Sequence, residues 1–214
     1  MDEPILSVAQ FVPNTEAEGP GKRFALWFQG CPLRCASCCN PEYLPFKGGT
    51  PWKLSDMVAE IERAQRDQGI EGVTLIGGEP FAHAAGAAPL AQALQQRGLT
   101  VMIFSGYTIE ELRERHDDAI DALLAATDIL VDGPYERDKP DSSRRWIGST
   151  NQRIHFLTPR YHADDPCWKQ RNTLEIRVDA SGILVNGFPA AHAVQLWKGM
   201  KLPKPTSAGG PQES

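Results

Sequence analysis

Apolar runs of strand length recur along this chain, each closed by a glycine-bearing turn, with stretches of helical spacing between them. Phe24 to Phe28 ends at Gln29-Gly30, and Val73 to Ile76 at Gly77-Gly78-Glu79-Pro80. Leu99 to Phe104 ends at Ser105-Gly106-Tyr107, and Ile129 to Val131 at Asp132-Gly133-Pro134. Between them, Leu54, Met57, Val58, Ile61 and Ala64 fall on one helical face, with Ser55 as the expected N-cap and Gly69 as the stop. Leu90 and Leu94 mark a second helix that ends at Gly98. Thr108 to Glu111 fits a capping box opening a third, whose pattern breaks near His116-Asp117. Such alternation builds parallel βα units with right-handed crossovers. The turns after the strands then gather on one rim, where α/β sheets and barrels place their sites.

The flanks are read less directly. Ile5 to Val12 is a strand ahead of the break at Gly19-Pro20-Gly21, and Arg153 to Leu157 a strand after the polar segment that ends at Gln152. Gly48-Gly49-Thr50-Pro51 reads as a separator before the first helix. Beyond Pro159, Leu174 to Val178 and Ile183 to Val185 alternate around Asp179-Ala180-Ser181-Gly182, a hairpin signal. From Pro203 the chain is rich in Pro, Gly and Ser and reads as a flexible tail. The expected organisation is a main domain over 1–160, a β extension over 161–202 packed on it, and a tail over 203–214.

Composition narrows the function classes. A net charge of −5 with scattered Lys and Arg gives no concentrated basic face, so nucleic acid is not an expected partner. No apolar run approaches the ~20 residues of a membrane-spanning helix. Met1-Asp2-Glu3-Pro4 has neither a basic start nor an apolar core, so a cytoplasmic protein is expected. In that reducing compartment five cysteines read as metal ligands or reactive thiols before disulfides.

Four of those five lie between positions 31 and 39. Cys31, Cys35 and Cys38 have the spacing C-x3-C-x2-C directly after an expected strand. Three thiolates on one loop can each hold one iron of a cubane, and since a 4Fe-4S cluster ordinarily takes four cysteines, one iron keeps an open position. A chelating amino acid can fill that position through its amino and carboxylate groups. A structural zinc site with Cys39 as a fourth ligand, in a non-catalytic interaction module, is the bland alternative. Zinc sites more often show two separated C-x2-C pairs. A simple electron-transfer protein fits less well, since a fourth cluster cysteine is not apparent. Cys39 is expected as a packed thiol lining the site, and Cys167 as a packing residue.

Gly30-Cys31-Pro32-Leu33-Arg34-Cys35 and Cys38-Cys39-Asn40-Pro41-Glu42 resemble the radical S-adenosylmethionine superfamily, and within it the glycyl-radical-enzyme activases. Gly19-Pro20-Gly21, Gly77 to Pro80, Ser105 to Tyr107, Val131-Asp132-Gly133 and Gly148 to Gln152 follow in the order of the anaerobic ribonucleotide reductase type. The resemblance spans about residues 5 to 157. It implies an α/β partial (β/α) barrel of mostly parallel strands, to which this chain adds its C-terminal β-hairpin. It implies a 4Fe-4S cluster on Cys31, Cys35 and Cys38, with S-adenosylmethionine cleaved reductively there to a 5′-deoxyadenosyl radical. The radical would take a hydrogen atom from a glycine of a glycyl-radical enzyme partner, with a one-electron donor such as flavodoxin or ferredoxin. A peptide or small molecule as the hydrogen donor is the alternative.

Cofactor-binding candidates follow from the rim. Gly77, Gly78, Glu79 and Pro80 can be a tight turn or a close backbone approach to a ligand, with Glu79 an acceptor for an ammonium group. The resemblance places this motif against the methionine moiety. Ser105 and Gly106 are either helix punctuation or ligand contacts. Asp132 ends a buried strand, and a charge there is expected to meet a ligand because burying it unpaired is costly. The related proteins often have a Lys two positions later, where this chain has Pro134. Asn151 and Gln152 would lie towards the nucleoside, or bridge turns. Arg34 offsets cluster charge or is solvated, and Trp27, Trp52 and Trp146 are expected in the core or at an interface rather than as electron conduits. The five histidines show no shared metal spacing.

Overall fold

A computed structural model describes residues 3–36, 38–179 and 182–188. In chain order the strands are β1 (Ile5–Thr15), β2 (Arg23–Phe28), β3 (Thr50–Lys53), β4 (Gly72–Gly77), β5 (Thr100–Phe104), β6 (Ile129–Asp132), β7 (Arg153–Phe156), β8 (Leu174–Asp179) and β9 (Gly182–Gly187). The helices are α1 (Leu54–Gln68), α2 (Ala84–Gln96), α3 (Ile109–Glu114) and α4 (Asp118–Ala125). Seven strands form one sheet in the order β3-β1-β2-β4-β5-β6-β7. The centre, β2-β4-β5-β6, is parallel throughout. β1 and β7 run antiparallel to their inner neighbours.

The pleat sorts each strand's side chains between two faces. Phe24, Leu26 and Phe28, Val73 and Leu75, Val101 and Ile103, and Leu130 point to the helices. They meet Met57, Ile61 and Ala64 of α1, Ala87, Leu90, Ala91 and Leu94 of α2, and Ile120 and Leu123 of α4. These side chains are buried, and removing one such as Leu75 to leave Ala costs about 2–5 kcal/mol. Helix ends follow local chemistry. Gly69 closes α1 in the left-handed conformation, and Thr108 with Glu111 makes the full capping box of α3. The break at His116 separates α3 from α4, with Asp117 capping the latter.

Two expectations at α1 differ. Thr50 to Lys53 is not a separator but edge strand β3, paired antiparallel with Ile5 to Val8. Pro51 is tolerated because an edge strand has unpaired backbone positions. The residue before α1 is Lys53, and the N-terminal N–H groups are met from afar: Leu54 by the Pro4 carbonyl and Ser55 by the Glu3 carboxylate.

The opposite face holds Ala25, Trp27, Ile76, Met102, Ile129 and Val131, all buried. Residues after 133 cover it. Trp146 and Trp168 meet edge to face with centroids 5.3 Å apart, and Trp168 also meets Phe156. Leu184 of the β8–β9 hairpin packs on Val12, Ala25, Trp27 and Ile76. Polar links join the same hairpin to the β1 region: Asn186 Nδ2 donates to Thr15 Oγ1, Gly187 N–H to the Glu18 carboxylate at 2.6 Å, Glu16 N–H to the Glu175 carboxylate and Arg177 to the Asn14 carbonyl. The tail expected over 203–214 lies outside the described residues. At the base, fully buried Arg23 donates to the Pro20, Val73 and Thr100 carbonyls and to the hydroxyls of Thr74 and Thr100.

Burial pushes the Glu18 carboxyl up to about 7 from its ordinary 4.5, against the Gly187 N–H and the Asn186 amide, which lower it. Between these pH values the folded chain keeps a proton that the unfolded chain has released, so stability falls as pH rises from 4.5 to 7 and levels off above. The span corresponds to at most about 3 kcal/mol. Glu18→Gln is expected to melt at a higher temperature than wild type at pH 8, and to show a shallower decline between pH 5 and 8 by calorimetry. A slope unchanged by the substitution would assign the pH dependence elsewhere.

Candidate iron–sulfur site

The loop after β2 is pinned at both ends. Gly30 N–H donates to the Tyr43 carbonyl at 2.8 Å and Cys31 N–H to the Leu44 carbonyl at 3.0 Å. The buried Gln29 amide donates to the carbonyls of Glu42 and Pro45. Cys31, Cys35 and Cys38 thus sit on a closed loop, and Cys38 N–H donates to the Cys35 carbonyl. Cys31 is buried, while Cys35 and Cys38 are partly exposed. Burial pushes all three thiols up, and neighbouring thiols add to it: Cys38 on Cys31, Cys31 on Cys35, Cys35 on Cys38. Ionising them together calls for a cation among them, which suits a thiolate-ligated iron centre. Among the described residues no three His, Cys, Asp or Glu side chains are gathered around a single ion. Cys39 is exposed rather than packed, because the chain turns outward after Cys38.

The Gly77–Pro80 turn backs directly onto this loop. Gly78 N–H donates to the Phe28 carbonyl and Glu79 N–H to the Gly30 carbonyl at 3.0 Å. A Cβ on residue 78 would lie 2.2 Å from the Gly30 oxygen, so only glycine permits this approach. His83 Nε2 lies 3.2 Å from the same oxygen, its ring stacked on Phe28 at 5.1 Å. Sequence reasoning passed over Gln29 and His83, since their partners are backbone atoms that no motif encodes.

Glu79 is 1% exposed, and its carboxylate accepts from Phe81 N–H, the Ser105 hydroxyl and Gly106 N–H at 2.9–3.0 Å. Burial raises its carboxyl to about 7 despite those donors. Glu79 therefore ties the turn after β4 to the turn after β5. The cluster loop touches the second turn as well, since a Cβ on Gly106 would meet Leu33 at 2.5 Å. The next turn joins through Gly133 N–H to the Tyr107 carbonyl.

Asp132 is placed differently. On the helix-facing side of β6, its carboxylate accepts from Ile109 N–H at 2.8 Å and from Arg153 Nε at 3.0 Å, with His155 Nε2 at 3.0 Å. Arg153, which also pairs with Glu110, meets the charge that Pro134 leaves without a nearby Lys. Asn151 donates to the Pro134 carbonyl, while Gln152 bridges Gly133 to Gly148 and Ser149. Arg34 is exposed in a left-handed conformation, and all five cysteines are free of disulfides.

An α/β sheet with a parallel centre and a three-thiol loop on its rim suits an iron–sulfur protein, and the family model described as 4Fe-4S single cluster domain matches residues 17–155. An anaerobic ribonucleoside-triphosphate reductase-activating protein of Pasteurella multocida is 31% identical over 72% of this chain and 99% of its own length. That of Vibrio cholerae is 32% identical over 70% of this chain and 97% of its own. The chain belongs to the family of anaerobic ribonucleoside-triphosphate reductase-activating proteins. A crystal structure of QueE from Escherichia coli aligns with 49% of this chain and 53% of that one, at 23% identity and a TM-score of 0.38.

Gly78→Ala is expected to lose at least half of the iron taken up per chain on anaerobic reconstitution, because the Gly30 carbonyl cannot retreat. The apoprotein should be less stable by about 1–3 kcal/mol. Normal iron uptake would show that the contact between the two turns is dispensable.

Proposed function

We propose that this chain is a radical S-adenosylmethionine activase that installs a glycyl radical on a partner enzyme of the anaerobic ribonucleoside-triphosphate reductase type. The observation that carries this reading is the pinned three-thiol loop set against the turns after β4 and β5. Membership of a 4Fe-4S family supports it over a zinc-bound interaction module. When bound, the cluster and its cosubstrate supply a one-electron reductive cleavage to methionine and a 5′-deoxyadenosyl radical.

The chain's own residues bind and orient. Cys31, Cys35 and Cys38 would hold the cluster through three thiolates, leaving one iron without a protein thiolate and open to the cosubstrate. Gly77, Gly78, Pro80, Ser105 and Gly106 line the cosubstrate site, offering backbone where side chains would intrude. Glu79 fixes those two turns relative to each other through Phe81 N–H, the Ser105 hydroxyl and Gly106 N–H, and is the candidate acceptor for the ammonium group. Asp132 supports the rim by anchoring the start of α3 and Arg153. The parallel β2-β4-β5-β6 centre followed by the β8–β9 hairpin supports a partial-barrel domain over residues 1–160 with a C-terminal β extension after it. The setting we propose is cytoplasmic, with flavodoxin or ferredoxin as the one-electron donor; among the described residues no helix is long and apolar enough to cross a membrane. A peptide or small molecule as hydrogen donor is the second reading, favoured by the residues that lie beyond the family model's end at 155.

Anaerobically reconstituted protein with dithionite and S-adenosylmethionine is expected to release 5′-deoxyadenosine. Cys35→Ala should reduce the release at least a hundredfold, and Cys167→Ala should leave it within twofold of wild type, both read by chromatography. Undiminished release from Cys35→Ala would remove that cysteine from the ligand set.

A further inference from the structure

Gly30 is the loosest link between β2 and the cysteines. Its φ of 111° lies in a range that side chains avoid, and a glycine there can turn the peptide that follows it at little cost. That peptide joins Gly30 to Cys31, so its orientation decides where the first thiol points. It is held from both sides. Cys31 N–H donates to the Leu44 carbonyl at 3.0 Å, while the Gly30 carbonyl accepts from Glu79 N–H at 3.0 Å and from His83 Nε2 at 3.2 Å. Of these three partners, only His83 acts through a side chain.

The His83 ring is itself fixed. It stacks on the fully buried Phe28, with centroids 5.1 Å apart and planes 11° from parallel. Phe46, from the far end of the cysteine loop, meets it at 5.9 Å. Phe46 also covers Gly30, where a Cβ would lie 2.5 Å from its ring. His83 stands at the N-cap of α2 yet makes no side-chain bond to that helix. Burial pushes its pKa down, so the ring is neutral. A carbonyl oxygen can only accept, which places the ring proton on Nε2.

We propose that His83 is a positioning residue for the iron–sulfur centre: its Nε2–H stops the Gly30–Cys31 peptide from turning and so keeps the Cys31 thiol in its buried place on the loop. The proposal rests on the reading of Cys31 as a cluster ligand and deepens it. Without that donor the carbonyl keeps a single partner beside aromatic rings, and turning towards water becomes the cheaper arrangement. Cys31, the buried thiol of the three, then becomes accessible.

The test begins with the apoprotein. Iodoacetamide labels its thiols anaerobically, and trypsin separates Cys31, on fragment 24–34, from Cys35, Cys38 and Cys39, on fragment 35–47. His83→Phe keeps a ring to stack on Phe28 and removes the donor, whereas His83→Gln keeps a donor and removes the ring. His83→Phe should raise the rate of Cys31 labelling at least fivefold and leave fragment 35–47 within twofold of wild type. His83→Gln should stay within twofold on both fragments. After reconstitution, His83→Phe should lose iron to a chelator at least fivefold faster than wild type, and His83→Gln within twofold of it. Long-range proton–nitrogen correlation on the wild-type apoprotein should find the ring proton on Nε2, a result that stands even if neither variant folds. A proton on Nδ1, unchanged Cys31 labelling in His83→Phe, or equal acceleration in both variants overturns the proposal. Failure of wild type to take up iron overturns the cluster reading and, with it, the assignment of His83 to that centre; the tautomer and labelling results then describe the loop alone.

Discussion

The carbonyl oxygen of Gly30 is where the site is held together. It stands immediately before Cys31, and it receives the Glu79 N–H and His83 Nε2 while Gly78 lies flat against it. A hydrogen bond of this kind contributes modestly by itself, about 0.5–1.5 kcal/mol. Its importance is positional. It fixes the peptide that leads into the first thiol against the turn after β4, and Glu79 passes that constraint on to the turn after β5. Loss of the contact would free two turns at once, since both depend on Glu79 being where it is.

Burying Glu79 and Asp132 is affordable only because each is surrounded by donors. Glu79 has two backbone N–H groups and a hydroxyl. Asp132 has an N–H and a guanidinium that is itself paired with Glu110. The two carboxylates look alike from the sequence, since both belong to a glycine turn that closes a buried strand. Position separates them: Glu79 lies past the end of β4 among the turns of the rim, whereas Asp132 is the last residue of β6, looks towards the helices and serves the frame around them.

Much of the architecture was legible because local chemistry determines it. Strand runs closed by glycine, the Thr108–Glu111 box, the break at His116 and the hairpin after Leu174 all depend on neighbours within a few residues. Edge strand β3 was hidden by Gly48-Gly49-Thr50-Pro51, whose composition signals a turn and whose pairing with Ile5 to Val8 is set by the tertiary fold. Strand direction at the two edges was equally unreadable, as periodicity does not encode it. In the site, the cysteine spacing was explicit, while Gln29 and His83 act on backbone oxygens distant in sequence. The outward turn of Cys39 is likewise a matter of loop path.

Arg23 has a consequence for how the sheet assembles. Its guanidinium is dry, without a carboxylate touching it among the described residues, and satisfied by groups from three segments: Pro20, Val73 with Thr74, and Thr100. The full set of contacts forms only when β2, β4 and β5 are aligned together. A slip of one residue between β2 and β4 would turn the guanidinium to the other face and strand a charge in an apolar layer, a penalty of several kcal/mol. The arginine thereby proofreads strand register at the base of the sheet, so that only the correctly threaded chain carries its cysteines to the rim in a usable arrangement.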